Sequence, residues 1–235
     1  MLTPSRIPDD TCVYAIGDIH GCARLLEKLH DAICEDAKKK SALRKVVVYL
    51  GDYIDRGPDS NSVVELAMVG PDIECECVYL KGNHEALLLD FLDGVRGSQI
   101  WRLNGADATI RSYGVDADSE DSICRDALRA ALSPAQATFF RNLELFHIEG
   151  DYLFVHAGLR PGRVLEDQDD ADLMWIRNPF LDSLEDWGYT VVHGHTTVVE
   201  PDIRENRIDI DTGAVWTGRL TAMAFHGVAR DVIQT

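Results

Sequence analysis

Residues 46–57 read VVVYLGDYIDRG, a β-branched apolar run that ends in glycine and charged side chains. The run has the length and composition of a buried strand, and the glycine permits a sharp turn directly after it. A carboxylate at Asp52 is costly to bury there unless it is paired or bound to a cation. The stretch therefore predicts a buried strand that delivers an acidic side chain to a loop with a chemical role.

Four other predicted strands end in the same way. They cover 13–16, 77–80, 152–155 and 190–192, and they are followed by GDIHG (17–21), GNHE (82–85), HAG (156–158) and GHT (194–196). In open α/β sheets, the loops beyond the carboxyl ends of the strands converge on one crevice. We therefore expect all five polar segments to form a single site.

The remaining pattern predicts an α/β fold of two packed sheets flanked by α-helices. Apolar residues at helical spacing follow the first strand, at Leu25, Leu26, Leu29 and Ile33. From Ile203 onward, short alternating strands separated by glycines predict an antiparallel meander. No linker interrupts the chain, so we expect one domain over 1–235, with the polar, weakly periodic segment at about 95–132 as a variable cap.

Composition excludes several classes of protein. The net charge of −17 argues against a nucleic-acid partner, because phosphate contacts draw on clustered Lys and Arg. No apolar run approaches the roughly 18 residues of a membrane span, and the N-terminus lacks the features of a secretion signal, so we expect a cytoplasmic protein without a membrane partner. Six cysteines form no CxxC pair and none precedes an arginine by six positions, which favours free thiols over a zinc finger or a cysteine phosphatase.

The five segments together offer oxygen and imidazole ligands for metal ions. The candidate ligands are Asp18, His20, Asp52, Asn83, His156 and His195. This set suits manganese, iron or zinc, and a single carboxylate such as Asp52 can bridge two ions. Taken singly, each residue has an ordinary structural interpretation as a helix cap, a turn residue or a core histidine. Their joint occurrence at strand ends predicts a binuclear metal site, with His84 placed to offer a proton.

Two further patterns are interpreted as structural. The side chain of His193 is expected to point to the opposite side of the strand from the side chains adjacent to it, so we assign it to the core. The segment DIDTG at 209–213 is similar to the DxDxT motif of aspartate-nucleophile phosphatases, but its fifth residue is Gly213. We interpret it as a strand that ends in a turn.

With these motifs, the chain resembles the phosphoprotein phosphatase family, calcineurin-like metallophosphoesterases, and in particular the small bacterial and phage lambda-type serine/threonine protein phosphatases. MWIRN at 174–178 and IDTGAVWTGRLT at 210–221 extend the resemblance over nearly the whole chain. It implies the calcineurin-like architecture, a β-sandwich of two mixed sheets flanked by helices. It also implies two divalent ions per chain, with manganese expected and iron or zinc as alternatives.

The resemblance also assigns roles to residues. The first ion is held at the positions of Asp18 and His20, Asp52 bridges, and the second ion is held by Asn83, His156 and His195. His84 corresponds to the general acid and Asp55 to the carboxylate that orients it. Arg56 and Arg177 correspond to the phosphate-binding arginines.

The implied activity is that of a phosphomonoesterase in which a metal-bridging hydroxide attacks phosphate in line. We expect a phosphoprotein or phosphopeptide substrate phosphorylated on serine or threonine, with activity on phosphotyrosine left open. The HAG at 156–158 is also seen in symmetric diadenosine tetraphosphatases, so a dinucleoside polyphosphate or another small phosphoester is the alternative substrate. A binding protein that keeps the fold without the chemistry is a third hypothesis. The sequence predicts no oligomeric state.

Overall fold

In the computed structural model, which describes residues 4–40 and 42–235, ten strands form two five-stranded sheets. The strands are β1 (Thr11–Ile16), β2 (Arg44–Tyr49), β3 (Glu76–Tyr79), β4 (Phe146–Glu149), β5 (Tyr152–Val155), β6 (Thr190–His193), β7 (Asp202–Ile203), β8 (Arg207–Asp209), β9 (Thr221–His226) and β10 (Ala229–Gln234). The first sheet has the order β10-β9-β1-β2-β3 and the second the order β4-β5-β6-β8-β7.

Both sheets are mixed. In the first, β1, β2 and β3 are parallel, whereas β9 and β10 run antiparallel at one edge. In the second, β5, β6 and β8 are parallel, with β4 and β7 antiparallel at the two edges. The expected α/β fold of two packed mixed sheets with outer helices is therefore confirmed.

Nine α-helices lie in the described residues. They are α1 (Ala23–Ala37), α2 (Ser60–Val69), α3 (Asn83–Leu92), α4 (Gln99–Leu103), α5 (Ala106–Ser112), α6 (Asp121–Ala131), α7 (Pro134–Arg141), α8 (Asp170–Trp175) and α9 (Ala214–Thr217). The start of helix α7 is capped, because the Ser133 side chain accepts a hydrogen bond from the backbone N–H of Gln136 and Pro134 takes the first helical position.

The alternation of side chains along β1 divides the core into layers. Val13 and Ala15 face the second sheet, where they pack in one cluster with residues such as Phe154 of β5. Tyr14 and Ile16 face the opposite way, into a larger cluster formed with helices α1 to α7. A third cluster covers the outer face of the second sheet. This double burial explains why the central strands have nearly continuous apolar sequences.

The C-terminal meander is the main error of the sequence-based prediction. The strands β9 and β10 form an antiparallel hairpin in the first sheet, but β8 belongs to the second sheet and runs parallel to β6. The strand is fully buried, and Ile208 packs between the two sheets. Gly227 lies in the turn between β9 and β10 as predicted, whereas Gly213 and Gly218 flank the helix α9. The glycine spacing carried no information on which sheet each strand joins.

The segment 95–132 is more regular than its sequence suggested. It forms the helices α4, α5 and α6, and Trp101, Ile110 and Leu128 are buried in the same cluster as α1 to α3. None of the helices in the described parts of the chain combines the length and apolar character that spanning a membrane requires.

Candidate metal centre

The five polar segments converge at the carboxyl ends of β1, β2, β3, β5 and β6. Their six candidate ligands are all buried, with no side chain more than 8% exposed: Asp18, His20, Asp52, Asn83, His156 and His195. The loops are joined directly, since the backbone N–H groups of Ile19 and His20 both donate to the carbonyl of Asp52. Residues spread over nearly 180 positions thus meet at one place between the two sheets.

One group of potential ligand atoms is formed by His20, Asp52 and His84, all within 4.8 Å of one another. The Nε2 atoms of His20 and His84 lie 3.5 and 3.7 Å from Oδ2 of Asp52. His20 Nδ1 lies 2.8 Å from the carbonyl oxygen of Ile54, which can only accept, so Nδ1 carries the proton. The unshared pair of His20 Nε2 is therefore directed into the site.

A second group is formed by Asp52, His156 and His195, also within 4.8 Å of one another. His156 donates from Nδ1 to the carbonyl of Leu50, 2.9 Å away, so its Nε2 is unprotonated. That Nε2 lies 3.4 Å from Oδ1 of Asp52 and 3.0 Å from Oδ1 of Asn83. Asp52 contributes to both groups through different oxygen atoms, which is the arrangement of a bridging carboxylate.

Asp18 lies beside these groups but in neither. Its two carboxylate oxygens accept the backbone N–H of His195, at 3.2 and 3.1 Å. Gly194 is required at this approach, because a Cβ atom there would overlap Oδ1 of Asp18. The role of Asp18 in holding the first ion, which the resemblance implies, stays a prediction, and His84 is the residue that groups with His20 and Asp52 in the structure.

The electrostatics of the site favour positive ions. Burial raises the pKa of Asp18 well above its usual range, and the carboxylates of Asp211 and Asp52 raise it further. Burial lowers the pKa of His156 to about 3 and that of His195 to about 2. Carboxylates without a cation are disfavoured in such a place, whereas neutral imidazoles are the form that binds metal.

The donor set fits divalent cations on a further observation. His195 Nε2 is buried and has no hydrogen-bond partner. Buried nitrogen atoms are rarely left without a hydrogen-bond partner. An imidazole nitrogen without such a partner, among carboxylate and amide oxygens, is a suitable ligand for manganese, iron or zinc. Two groups that share Asp52 are consistent with two ions.

His84 and Asp55 form a buried pair next to the candidate ligands. Nδ1 of His84 lies 2.6 Å from Oδ2 of Asp55. Trp101 Nε1 donates to the same oxygen over 2.7 Å, and Thr109 Oγ1 donates to Oδ1 over 2.6 Å. Burial raises the pKa of Asp55 to about 7, whereas these two bonds act in the opposite direction. The carboxylate is held from three sides and fixes the orientation of the His84 ring.

The two predicted arginines differ in their positions. Arg56 donates to Nε2 of His20 over 2.5 Å and to Nε2 of His84 over 3.0 Å, and its guanidinium lies 5.2 Å from the ring of Trp216. Arg177 is exposed and makes no comparable contact with the candidate ligands, although its charge contributes to lowering the pKa of His195. Arg56 is thus part of the site, and Arg177 lies at its rim.

Backbone strain is concentrated in the same residues. Among the described residues, five that are not glycine have a positive φ: His20, Asp52, Asp55, Arg56 and His195. Such conformations are uncommon for residues with a Cβ atom and persist only where the surrounding structure enforces them. All five had been singled out from the sequence, so independent backbone evidence marks the same loops as functional.

His193 has the structural role that we expected. Its ring packs edge-on against Phe180 at 5.0 Å, its Nδ1 bonds to the Gly194 carbonyl, and it belongs to neither ligand group. The DIDTG segment also ends in a turn, because Asp211 accepts the backbone N–H of Gly213 over 2.9 Å.

Sequence reasoning missed Glu85, which organises the loops. The side chain is fully buried and accepts the backbone N–H groups of Asp52, Tyr53 and Gly82 at 2.9 to 3.0 Å. It therefore fixes the loop after β2 against the start of α3. A glutamate three residues after a helix N-cap is the available signal, because this spacing is that of a capping box.

Trp101 and Thr109 were missed as well. Both come from the helices of 95–132 and reach Asp55, although they lie 46 and 54 positions away from it in the sequence. Nothing in the local sequence of that segment indicates such a contact.

Comparison with known proteins agrees with this geometry. Residues 13–218 match the family of calcineurin-like phosphoesterases. Relatives named asymmetrical bis(5'-nucleosyl)-tetraphosphatase PrpE occur in Anoxybacillus flavithermus, at 27% identity over 229 residues, and in Bacillus thuringiensis, at 25% over 230 residues. In both cases 89% of each chain is covered.

A crystal structure provisionally named a diadenosine tetraphosphatase shares the fold, with a TM-score of 0.64 and 23% identity over 99% of this chain and 98% of that one. The family match spans most of the chain, including all six candidate ligands. The chain therefore belongs to the calcineurin-like phosphoesterase family of metal-dependent hydrolases.

Proposed function

We propose that this metallophosphoesterase hydrolyses dinucleoside polyphosphates, cleaving a phosphoanhydride bond asymmetrically. The observation that carries the proposal is the similarity, over 89% of both chains, to relatives named as asymmetrical bis(5'-nucleosyl)-tetraphosphatases. This supports the small-molecule alternative better than the serine/threonine protein phosphatase activity that the motifs led us to expect. The relatives are named asymmetrical, however, whereas the alternative drawn from the sequence was a symmetric tetraphosphatase. Both activities need the same metal-binding loops, so the difference must lie at the rim of the site.

Two exposed tryptophans at that rim support the proposal. Trp216 is 64% exposed and lies against the Arg56 guanidinium, and Trp175 is 40% exposed with its ring 6.2 Å from that of His195. Exposed indole rings next to a phosphate site are suited to stack on nucleobases, an interaction worth about 1–3 kcal/mol per base. A phosphorylated serine or threonine side chain offers no aromatic surface for them.

The reaction follows from the side chains around the ligand groups. When bound, two divalent ions, which we propose to be manganese, would lower the pKa of a water molecule and neutralise phosphate charge. Arg56 can turn its two N–H groups from the imidazoles to phosphate oxygens, and Arg177 can approach the same phosphate chain from the rim. These contacts would offset the acidic net charge of the chain for an anionic substrate.

His84 can act on the leaving group. Asp55 fixes its Nδ1, so Nε2 is the atom that faces the site and the one that must carry a donated proton. In the structure this Nε2 accepts from Arg56, and burial together with the Arg56 charge lowers the pKa of His84 well below its usual value. Movement of Arg56 onto a phosphate would free Nε2 for that role. A nucleotide leaving group needs less help from such an acid than an alkoxide does.

The proposal is tested with a substrate panel in the presence of Mn²⁺. We expect kcat/KM for diadenosine tetraphosphate to exceed that for phosphoserine and phosphotyrosine peptides by at least about tenfold, or about 1.4 kcal/mol. Chromatography of the products should give ATP and AMP in equal amounts. ADP as the only product would contradict asymmetric cleavage, and a preference for the peptides would restore the protein phosphatase hypothesis.

Substitution of the rim tryptophans tests the structural argument. Trp216→Leu should lower kcat/KM for diadenosine tetraphosphate by about tenfold, since it removes one stacking surface. Tripolyphosphate, which has phosphoanhydride bonds but no base, is the control substrate and should be affected much less. Trp216→Phe should retain most of the activity. Equal losses on both substrates in Trp216→Leu would indicate that the indole acts only by supporting Arg56.

A further inference from the structure

Two cysteines outside the metal centre are close enough to react with each other. Cys75 and Cys77 have their Sγ atoms 3.9 Å apart, and both side chains are partly exposed. Cys77 lies in β3, and Cys75 comes one residue before that strand begins. Residues two apart along an extended chain project to the same face, which explains the approach of the two sulfur atoms.

We propose that Cys75 and Cys77 form a reversible redox pair, which closes to an internal disulfide on reaction with a low-molecular-weight disulfide such as glutathione disulfide. The pair lies at an edge of the first sheet, because β3 is its terminal strand. Both residues are partly exposed while their side chains also pack against the cluster formed with α1 to α7, so the proposed oxidant is a small one. The proposal does not depend on the phosphoesterase substrate.

Closure requires a movement that the local structure permits. A disulfide bond is about 2.05 Å long, so the sulfur atoms must approach by roughly 1.8 Å. The pairing between β3 and β2 begins at Glu76 and includes Cys77, but it does not include Cys75. Cys75 is thus free of the sheet ladder and can move, while Cys77 is held.

The two thiols have different chemical characters. The hydrogen bond from Cys75 lowers the pKa of Cys77 to about 7, and the same contact raises the pKa of Cys75. A thiolate is the attacking species in thiol–disulfide exchange, so Cys77 is the group that reacts first with the external disulfide. Cys75 is then positioned as the resolving thiol.

The exchange balances in two steps. The Cys77 thiolate attacks one sulfur of glutathione disulfide, the external S–S bond breaks, and one glutathione thiolate leaves. Cys75 then gives its proton to solvent and attacks Sγ of Cys77, which expels the second glutathione thiolate. The two cysteine sulfurs are oxidised to one disulfide, and the external disulfide is reduced to two thiols.

The other cysteines provide internal controls. Cys12 and Cys124 are buried, and Cys22 and Cys34 are partly exposed. Cys34 is the best matched of these because it is accessible and lies near Cys75, where it affects the pKa of that thiol. Among the hydrogen bonds of the described residues, none joins Cys34 to another sulfur atom as Cys75 is joined to Cys77.

The test uses the full-length protein with glutathione disulfide, followed by alkylation of free thiols, intact mass measurement and peptide mapping. We expect the wild type to lose two hydrogen atoms and to protect Cys75 and Cys77 together from alkylation, with reversal by dithiothreitol. Cys75→Ser should instead retain a glutathione adduct on Cys77. Cys34→Ser should behave as the wild type.

A glutathione adduct that persists in the wild type would overturn the proposal, because it would mean that Cys75 cannot reach Cys77. A disulfide that involves another cysteine, or no reaction under conditions that modify Cys34, would also overturn it. The wild-type result alone decides between these outcomes, so the test remains valid if a variant folds poorly.

Discussion

Replacing His84 by asparagine tests whether His84 acts as a proton donor or as a metal ligand. The two roles compete in the structure, because His84 Nε2 lies 3.7 Å from Asp52 Oδ2 within one ligand group, while its Nδ1 is bound to Asp55. In His84→Asn, the side-chain amide can keep a donor on the buried Asp55 carboxylate, so that carboxylate retains a partner. What the substitution removes is Nε2, the atom that would carry the proton.

The expected size of the effect depends on the leaving group. General acid catalysis contributes about 10²–10⁴-fold, and it contributes least where the departing oxygen is already a weak base. We therefore expect His84→Asn to lower kcat/KM about 100-fold or more for phenyl phosphate. For 4-nitrophenyl phosphate the loss should be about tenfold. The difference corresponds to about 1.4 kcal/mol of transition-state stabilisation.

The assay is a series of aryl phosphates with leaving groups of increasing pKa, measured with Mn²⁺ for the wild type and for His84→Asn. A steeper dependence of log kcat/KM on leaving-group pKa in the variant is the predicted result. His20→Asn is the matched control, since loss of a ligand should lower the activity on every ester equally and reduce the metal content. Parallel lines for His84→Asn, together with loss of metal, would refute the acid role and make His84 a ligand.

Two further substitutions test the packing of the site and the protonation of the core. In Gly82→Ala the new Cβ would overlap Oδ1 of Asp52 and lie 2.5 Å from its backbone nitrogen, so the affinity for Mn²⁺, measured by calorimetry, should fall about 10–100-fold. The control is Gly188→Ala, where a Cβ meets no atom within 4 Å, and it should change stability at most. Unchanged Mn²⁺ affinity in Gly82→Ala would contradict this packing. Burial lowers the pKa of His30 to about 4, so the unfolded chain takes up the proton first as pH falls from 7 to 5. The free energy of unfolding should therefore drop by about 2 kcal/mol more in the wild type than in His30→Gln, which can still bond to the Tyr49 hydroxyl. Equal drops in the two proteins, measured by denaturant titration at both pH values, would count against a buried neutral His30.

The strand ends were predictable because short-range physics determines them. A β-branched run followed by glycine and Asp52 defines a buried strand and a sharp turn without reference to the rest of the chain. The same holds for the runs before Asp18 and His156. Once the strands are taken as parallel, convergence of their loops follows from topology, and short contacts link the six candidate ligands in the structure.

Contacts that depend on tertiary packing could not be predicted. Trp101 and Thr109 reach Asp55 from helices whose sequence is polar and weakly periodic. The strand β8 joins the second sheet because Ile208 is buried between the sheets, not because of its turns. The grouping of His84 with His20 and Asp52 also depends on distances that only the folded chain defines.

The central claim is that Asp52 lies between two metal ions. The most direct test is a crystal structure of the protein grown with Mn²⁺ and phosphate, with the ions located by anomalous scattering. We predict two ions about 3.5–4 Å apart, both bound to Asp52, with Asp18 and His20 on one ion and with Asn83, His156 and His195 on the other. A single ion, or two ions that Asp52 does not contact, would contradict the account.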